Sequence, residues 1–192
     1  MNMTPKKEEL ILMRIPGEDR PGLTASIMSI LAKYDAKIMD IGQADIHHTL
    51  SLGILFKTTT ERSGEIMKEL FFKATEMGVE IRYTPISNED YNDWVSRQGK
   101  NRYIITILGR ETTAKQISAV AGIIAKQGLN IDAIKRLTGR IPLTEGTCES
   151  RKSCIEFSVR GTPRDKAAMQ SELMKLSNEL SFDISMQQDD IY

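Results

Sequence analysis

Apolar residues recur along this chain in two alternating rhythms, and the rhythms follow the same order twice. Residues 9–15 form an apolar run that ends at Pro16-Gly17 and is short enough for a strand. Residues 22–34 then carry Leu23, Ile27, Ile30 and Leu31 at helical spacing, a single apolar stripe. An extended run over 37–46 follows. Leu50, Leu52, Ile54 and Phe56 alternate with smaller or polar residues, the period-two pattern of a strand with one buried face. A second helix is predicted from about Ser63 to Met77, with Ile66, Leu70, Ala74 and Met77 on its buried stripe. Gly78 supplies a left-handed stop before a strand over 79–86.

The second half repeats the sequence of elements: a strand at 102–108, a helix at 113–127 stopped by Gly128, and strands near 130–137 and 153–160. Its second helix is expected to begin at Thr162-Pro163, a capping threonine with proline at the first helical position. Met169, Leu173, Leu176 and Leu180 mark that helix's stripe before a closing strand that starts at Phe182. At a constant offset Ile27 falls on Val120, Ile30 on Ile123, Ala32-Lys33 on Ala125-Lys126, Ile38 on Ile131 and Ile41 on Ile134. A larger offset later aligns Ile66 with Met169 and Ile81 with Ile184, so residues 138–152 read as a polar hairpin insertion in the second copy.

Strand, helix, strand, strand, helix, strand, twice over, predicts an α+β chain of two ferredoxin-like units. Each would be a four-stranded antiparallel sheet with two helices on one face. The expected boundaries are 1–87 and 102–192, joined by a polar linker over 88–101 that holds the sole tryptophan, Trp94. The first strands, "ELILMRI" and "YIITIL", are apolar at nearly every position, so burial of both sides or of an edge is expected, with the two halves packing on each other, on a second chain, or on both.

Composition narrows the function classes. Twenty-six basic residues balance 26 acidic ones, so no global field draws the chain to nucleic acid or an anionic membrane. No apolar run approaches the ~20 residues of a membrane span. The N-terminus has no leader pattern, and the polar ending "SMQQDDIY" reads as a cut linker. Two cysteines, Cys148 and Cys154, with no CxxC spacing suggest a reducing compartment, the cytoplasm by default.

The stretch "GEDRPGLTASIMSIL" carries the candidate chemistry. Pro21 is expected at the first helical position, where a missing N–H costs no hydrogen bond. Pro21-Gly22 at the helix mouth leaves the N–H groups of Gly22, Leu23 and Thr24 at the positive end of the helix dipole, where a carboxylate fits and glycine has no Cβ to keep it away. Asp19 offers a partner for an ammonium group; together these match an amino-acid zwitterion. The competing reading is that Asp19 merely caps the helix. At the repeat offset the second copy has Thr112, Thr113, Ala114 and Lys115 for Asp19, Arg20, Pro21 and Gly22, which favours unequal roles.

"EDRPGLTASIMSILAKYDAKIMDI" resembles the signature of ACT domains, with the likeness strong in the first half and carried by topology and repeat in the second. More narrowly, "DIGQADIHHTLSLGILF" and "FDISMQQDDIY" are similar to the N-terminal regulatory pair of ACT domains in bacterial phosphoserine phosphatases of the Bacteroides type. The resemblance implies an amino-acid site built from Asp19, Arg20, Pro21, Gly22, Leu23 and Thr24 of one domain facing Asp40, Ile41, Gly42 and Gln43 of a partner domain. Serine is the first ligand to test. It also implies a homodimer, no cofactor in this chain, and Mg2+ in a following haloacid-dehalogenase-type catalytic domain. A stand-alone tandem regulator of the glycine-cleavage-repressor kind is the alternative.

The Asp-x-Asp-x-Thr/Val stretch such a phosphatase needs is absent from the sequence given. Adjacent strand positions would send His47 and His48 to opposite faces, against a metal role. Cys154 is expected to pack. Few aromatics and no glycine-rich anion loop argue against an RNA binder or an acylphosphatase.

Overall fold

The computed structural model describes residues 7–97, 101–139 and 152–189. Two compact units divide at Asp93/Trp94. In the first, β1 (Glu8–Glu18), α1 (Leu23–Lys33), β2 (Lys37–Ile46), β3 (Thr49–Thr59), α2 (Thr60–Glu76) and β4 (Arg82–Ile86) build an antiparallel sheet of order β2-β3-β1-β4. In the second, β5 (Arg102–Gly109), α4 (Ala114–Lys126), β6 (Asn130–Arg136), β7 (Ser153–Arg160), α5 (Lys166–Leu180) and β8 (Asp183–Asp189) give the order β6-β7-β5-β8. Two ferredoxin-like α+β units result, as the sequence predicts.

The connecting segment is partly regular. Asn88–Arg97 forms α3, opened by Ser87, whose hydroxyl accepts from the Asp90 amide at 3.0 Å. Residues 98–100, most of the predicted insertion (140–151, with Cys148), and residues 190–192 lie outside the described residues.

Each core lies between sheet and helices. Ile11, Met13 and Ile15 of β1 and Leu50, Leu52, Ile54 and Phe56 of β3 meet Leu23, Ile27 and Leu31 of α1 and Ile66, Leu70 and Ala74 of α2. Tyr103, Ile105 and Ile107 play the β1 part in the second unit, against Val120, Ile124, Met169 and Leu173. On the other face of β1, Leu10 is buried and Leu12 half-buried, whereas Arg14 is exposed. The β4 ladder ends at Arg14, and Pro16 lies beyond it, where β1 has an unpaired side to absorb a missing N–H.

Helix starts differ from expectation at three places. Pro21 precedes α1 rather than occupying its first position, because Gly22 is the N-cap residue. The second helix of the first unit begins at Thr60, not Ser63. Thr162-Pro163 do not start α5; Asp165 caps it, accepting from the Ala168 amide at 2.9 Å, so the helix begins where a carboxylate can reach an unpaired N–H.

Both sheets carry a bulge at the same place on the edge strand, between Ile38 and Asp40 in β2 and between Ile131 and Ala133 in β6. An extra residue reverses the alternation beyond it. Ile38 pairs with Phe56 and Ile41 with Ile54, both on the helix-covered side, and Gln43 follows them opposite Leu52.

Candidate functional site

The loop between β1 and α1 is a type II turn. Pro21 sits at its second position, Gly22 at its third with φ 86° and ψ −3°, and the Leu23 amide closes it by donating to the Arg20 carbonyl at 3.2 Å. Only glycine adopts that conformation without strain. The turn hands the chain directly to α1, and the Ser26 amide makes the first helical bond, to the Gly22 carbonyl at 2.9 Å.

No side chain caps α1, and its first turn holds no acidic residue. Of the three amides expected at the helix mouth, that of Leu23 is consumed in the turn. Gly22, Thr24 and Ala25 keep theirs without an intrahelical acceptor. Asp19 is not the cap: its own amide donates to the His48 carbonyl at 2.8 Å, and its side chain is exposed. The helix mouth is therefore open.

Arg20 turns away. Its guanidinium donates to the Met77 carbonyl at 3.1 Å and to Glu18 Oε2 at 3.2 Å, lying over Gly78 at the end of α2. It satisfies a helix C-terminus.

The strand candidates divide between two faces. Asp40 and Gly42 pair with Leu55 and Gly53 and face away from the helices. The Asp40 carboxylate accepts from the Ile41 amide at 2.9 Å, satisfying an N–H at the bulge. Ile41 and Gln43 are on the helix side, and Thr24 Oγ1 donates to Gln43 Oε1 at 2.8 Å. An amide whose oxygen accepts from Thr24 keeps both N–H donors available. Pro21, Gly22, Thr24 and Gln43 thus gather at one end of the sheet, beside the backbone of Asp19.

His47 and His48, expected as strand residues on opposite faces, are instead the two central residues of the β2–β3 hairpin. Both are left-handed, with φ 49° and 62°, and their rings lie edge to face at 5.3 Å between centroids. Tight turns of this kind demand positive φ at both positions. The hairpin's backbone contact with Asp19 had no sequence signal. Among the described residues, no group of three or more His, Cys, Asp and Glu side chains is arranged to hold a metal ion. None of the described helices is long and apolar enough to cross a membrane. Cys154 is half-buried on β7.

The helix mouth of the second unit, unlike that of the first, is capped by its own side chains. Thr113 Oγ1 accepts from the Gln116 amide at 3.3 Å while Gln116 Oε1 accepts from the Thr113 amide at 2.9 Å. This reciprocal pair satisfies two of the free donors.

Comparison with known proteins agrees with this architecture. ACT-domain models match residues 9–84 and, separately, residues 102–187. A phosphoserine phosphatase of Streptomyces coelicolor is 27% identical over 174 residues, covering 89% of this chain and 39% of that protein. Phosphoserine phosphatase SerB2 of Mycobacterium tuberculosis is 25% identical over 177 residues, covering 92% and 40%. The chain therefore spans about two fifths of the length of these curated relatives. A crystal structure of an unknown protein from Galdieria sulphuraria superposes with a TM-score of 0.70 at 17% identity, over 95% of this chain and 99% of that one, a likeness of fold.

Proposed function

The chain belongs to the ACT-domain family, and from that premise we propose that it is the amino-acid-sensing regulatory region of a phosphoserine phosphatase, with serine its favoured ligand. The observation that carries the reading is the uncapped N-terminus of α1 behind the Pro21-Gly22 turn, with Gln43 tied across it. A ligand carboxylate accepts from the free first-turn amides and from the Gln43 amide group. The exposed Asp19 carboxylate takes the ammonium. Ile41 supports a site shared with a partner domain, being about half exposed (49%) on an edge strand whose outer side has no neighbouring strand among the described residues.

The mechanism is linkage. A ligand that favours one arrangement of domains or subunits shifts the population toward it, and a catalytic domain coupled to that arrangement changes its activity. Exposed Ile41 and Ile46 on the edge strand β2 support a homodimer. Mg2+ would belong to the catalytic domain, and the cytoplasm is the compartment in which such a pathway enzyme works. Two curated relatives of the same name over about nine tenths of the chain favour this reading over a stand-alone regulator.

A thermal-unfolding screen against the common amino acids tests it. A ligand at about 100 times its Kd adds about 2.7 kcal/mol, several degrees for units of this size. The expected result is a rise with serine; no rise with any amino acid would sink the reading.

A further inference from the structure

We propose that amino-acid binding is confined to the first unit, so that each chain takes up one ligand, and that the second unit is a non-sensing partner whose equivalent site is filled by its own side chains. This rests on the sensing function proposed above and extends it to the second half of the chain.

The two units correspond residue by residue at the points that matter. The shared bulge aligns Ile38 with Ile131, Asp40 with Ala133, Ile41 with Ile134, Gly42 with Lys135 and Gln43 with Arg136. At the positions that would hold a zwitterion, the second unit lacks the matching groups. Two amides at the α4 N-terminus, those of Thr113 and Gln116, are engaged by the reciprocal Thr113–Gln116 pair, whereas no side chain caps α1. Thr112 stands in place of Asp19, its hydroxyl 2.6 Å from that of Ser153, so no carboxylate stands at that position for an ammonium group. Ile117 replaces Thr24 and Arg136 replaces Gln43, which removes the hydrogen bond joining helix to edge strand; Arg136 Nε instead donates to the Thr138 carbonyl at 3.3 Å. Lys115 and Lys135 add positive charge where the first unit has glycine.

The Gln116 side chain also accounts for Arg20. Gln116 Nε2 donates to the Leu180 carbonyl at 3.4 Å, as Arg20 donates to that of Met77. One residue in the second unit thus both caps the helix mouth and ties it to the end of the second helix. In the first unit Arg20 makes the tie alone and the mouth stays open.

Titration calorimetry of the full chain with L-serine, then with each other common amino acid, is paired with hydrogen exchange in the presence of whichever binds. The expected result is one ligand per chain, slowed exchange at residues 22–25 and none at 113–117. Asp19→Ala should weaken the binding and Thr113→Ala/Gln116→Ala should leave it unchanged. Two ligands per chain, with exchange slowed at 113–117 or heat surviving in Asp19→Ala and lost in the Thr113/Gln116 variant, would overturn this inference while leaving the sensing function standing. No heat with any amino acid would overturn both.

Discussion

Thr24 Oγ1 donates to Gln43 Oε1 across 2.8 Å, joining the first turn of α1 to the edge strand β2. The bond exists because the bulge after Ile38 turns Gln43 to the helix side. Gln43→Ala removes the bond and the amide donors together. An exposed hydrogen bond is worth about 0.5–1.5 kcal/mol, so amino-acid affinity should fall about 2- to 10-fold by calorimetry with little change in Tm. Unchanged affinity would take Gln43 out of the site.

Asp19 and Thr113 invite the opposite pair of outcomes. Asp19 caps nothing, so Asp19→Ala should shift stability by no more than about 0.5 kcal/mol while weakening the ligand. Thr113→Ala breaks a reciprocal cap and should cost about 1 kcal/mol in denaturant unfolding.

Gly22 is held by conformation, not by space: a Cβ there would meet nothing within 4 Å, yet φ is +86°. Gly22→Ala should cost about 1–2 kcal/mol from left-handed strain alone. If Gly22→Ala is as stable as the parent, the type II turn is not what starts α1.

The His47–His48 turn carries side chains where an asparagine-glycine pair fits the same conformation with less strain. The double substitution His47→Asn/His48→Gly should raise the urea midpoint, worth up to about 1 kcal/mol. A lower midpoint would mean that the paired rings stabilise the hairpin by more than the strain costs.

Between α1 and α2, Lys33 Nζ and Tyr34 Oη both donate to Glu69 Oε2, at 2.7 and 2.8 Å. The Lys33 bond first, then that of Tyr34, holds the Glu69 carboxyl below its ordinary value of 4.5. A carboxylate depressed in the folded state contributes stability above its unfolded value and loses it as pH falls through the folded one. Glu69→Gln should therefore be less stable than the parent at neutral pH and converge with it in acid. The gap should be small, because water reaches the pair and screens it. Parallel unfolding midpoints from neutral pH into acid would dismiss the contribution.

The alternation of β3 was legible from periodicity because burial of one face fixes period two, and Leu50, Leu52, Ile54 and Phe56 could be assigned to the buried face on that ground alone. The helix stripes followed for the same reason. The near-continuous apolar run of β1 gave no such choice, and its register against β3 came from the structure. Helix starts were less legible: Asp165 outcompeted Thr162-Pro163, and Gly22 displaced Pro21, because several residues in each loop can satisfy a free N–H and only their positions decide which does.

The sequence by itself determined the duplication, the ferredoxin-like order and the glycine at the mouth of α1, since these rest on local periodicity and on a backbone conformation that few residues tolerate. Tertiary structure alone decided which side chains meet there. One extra residue in β2 reverses every side chain after it, sending Gln43 to Thr24 and Asp40 to the opposite face. Arg20 was drawn off by a carbonyl 57 positions away. Such outcomes depend on contacts between elements distant in the chain, and no spacing along the chain encodes them.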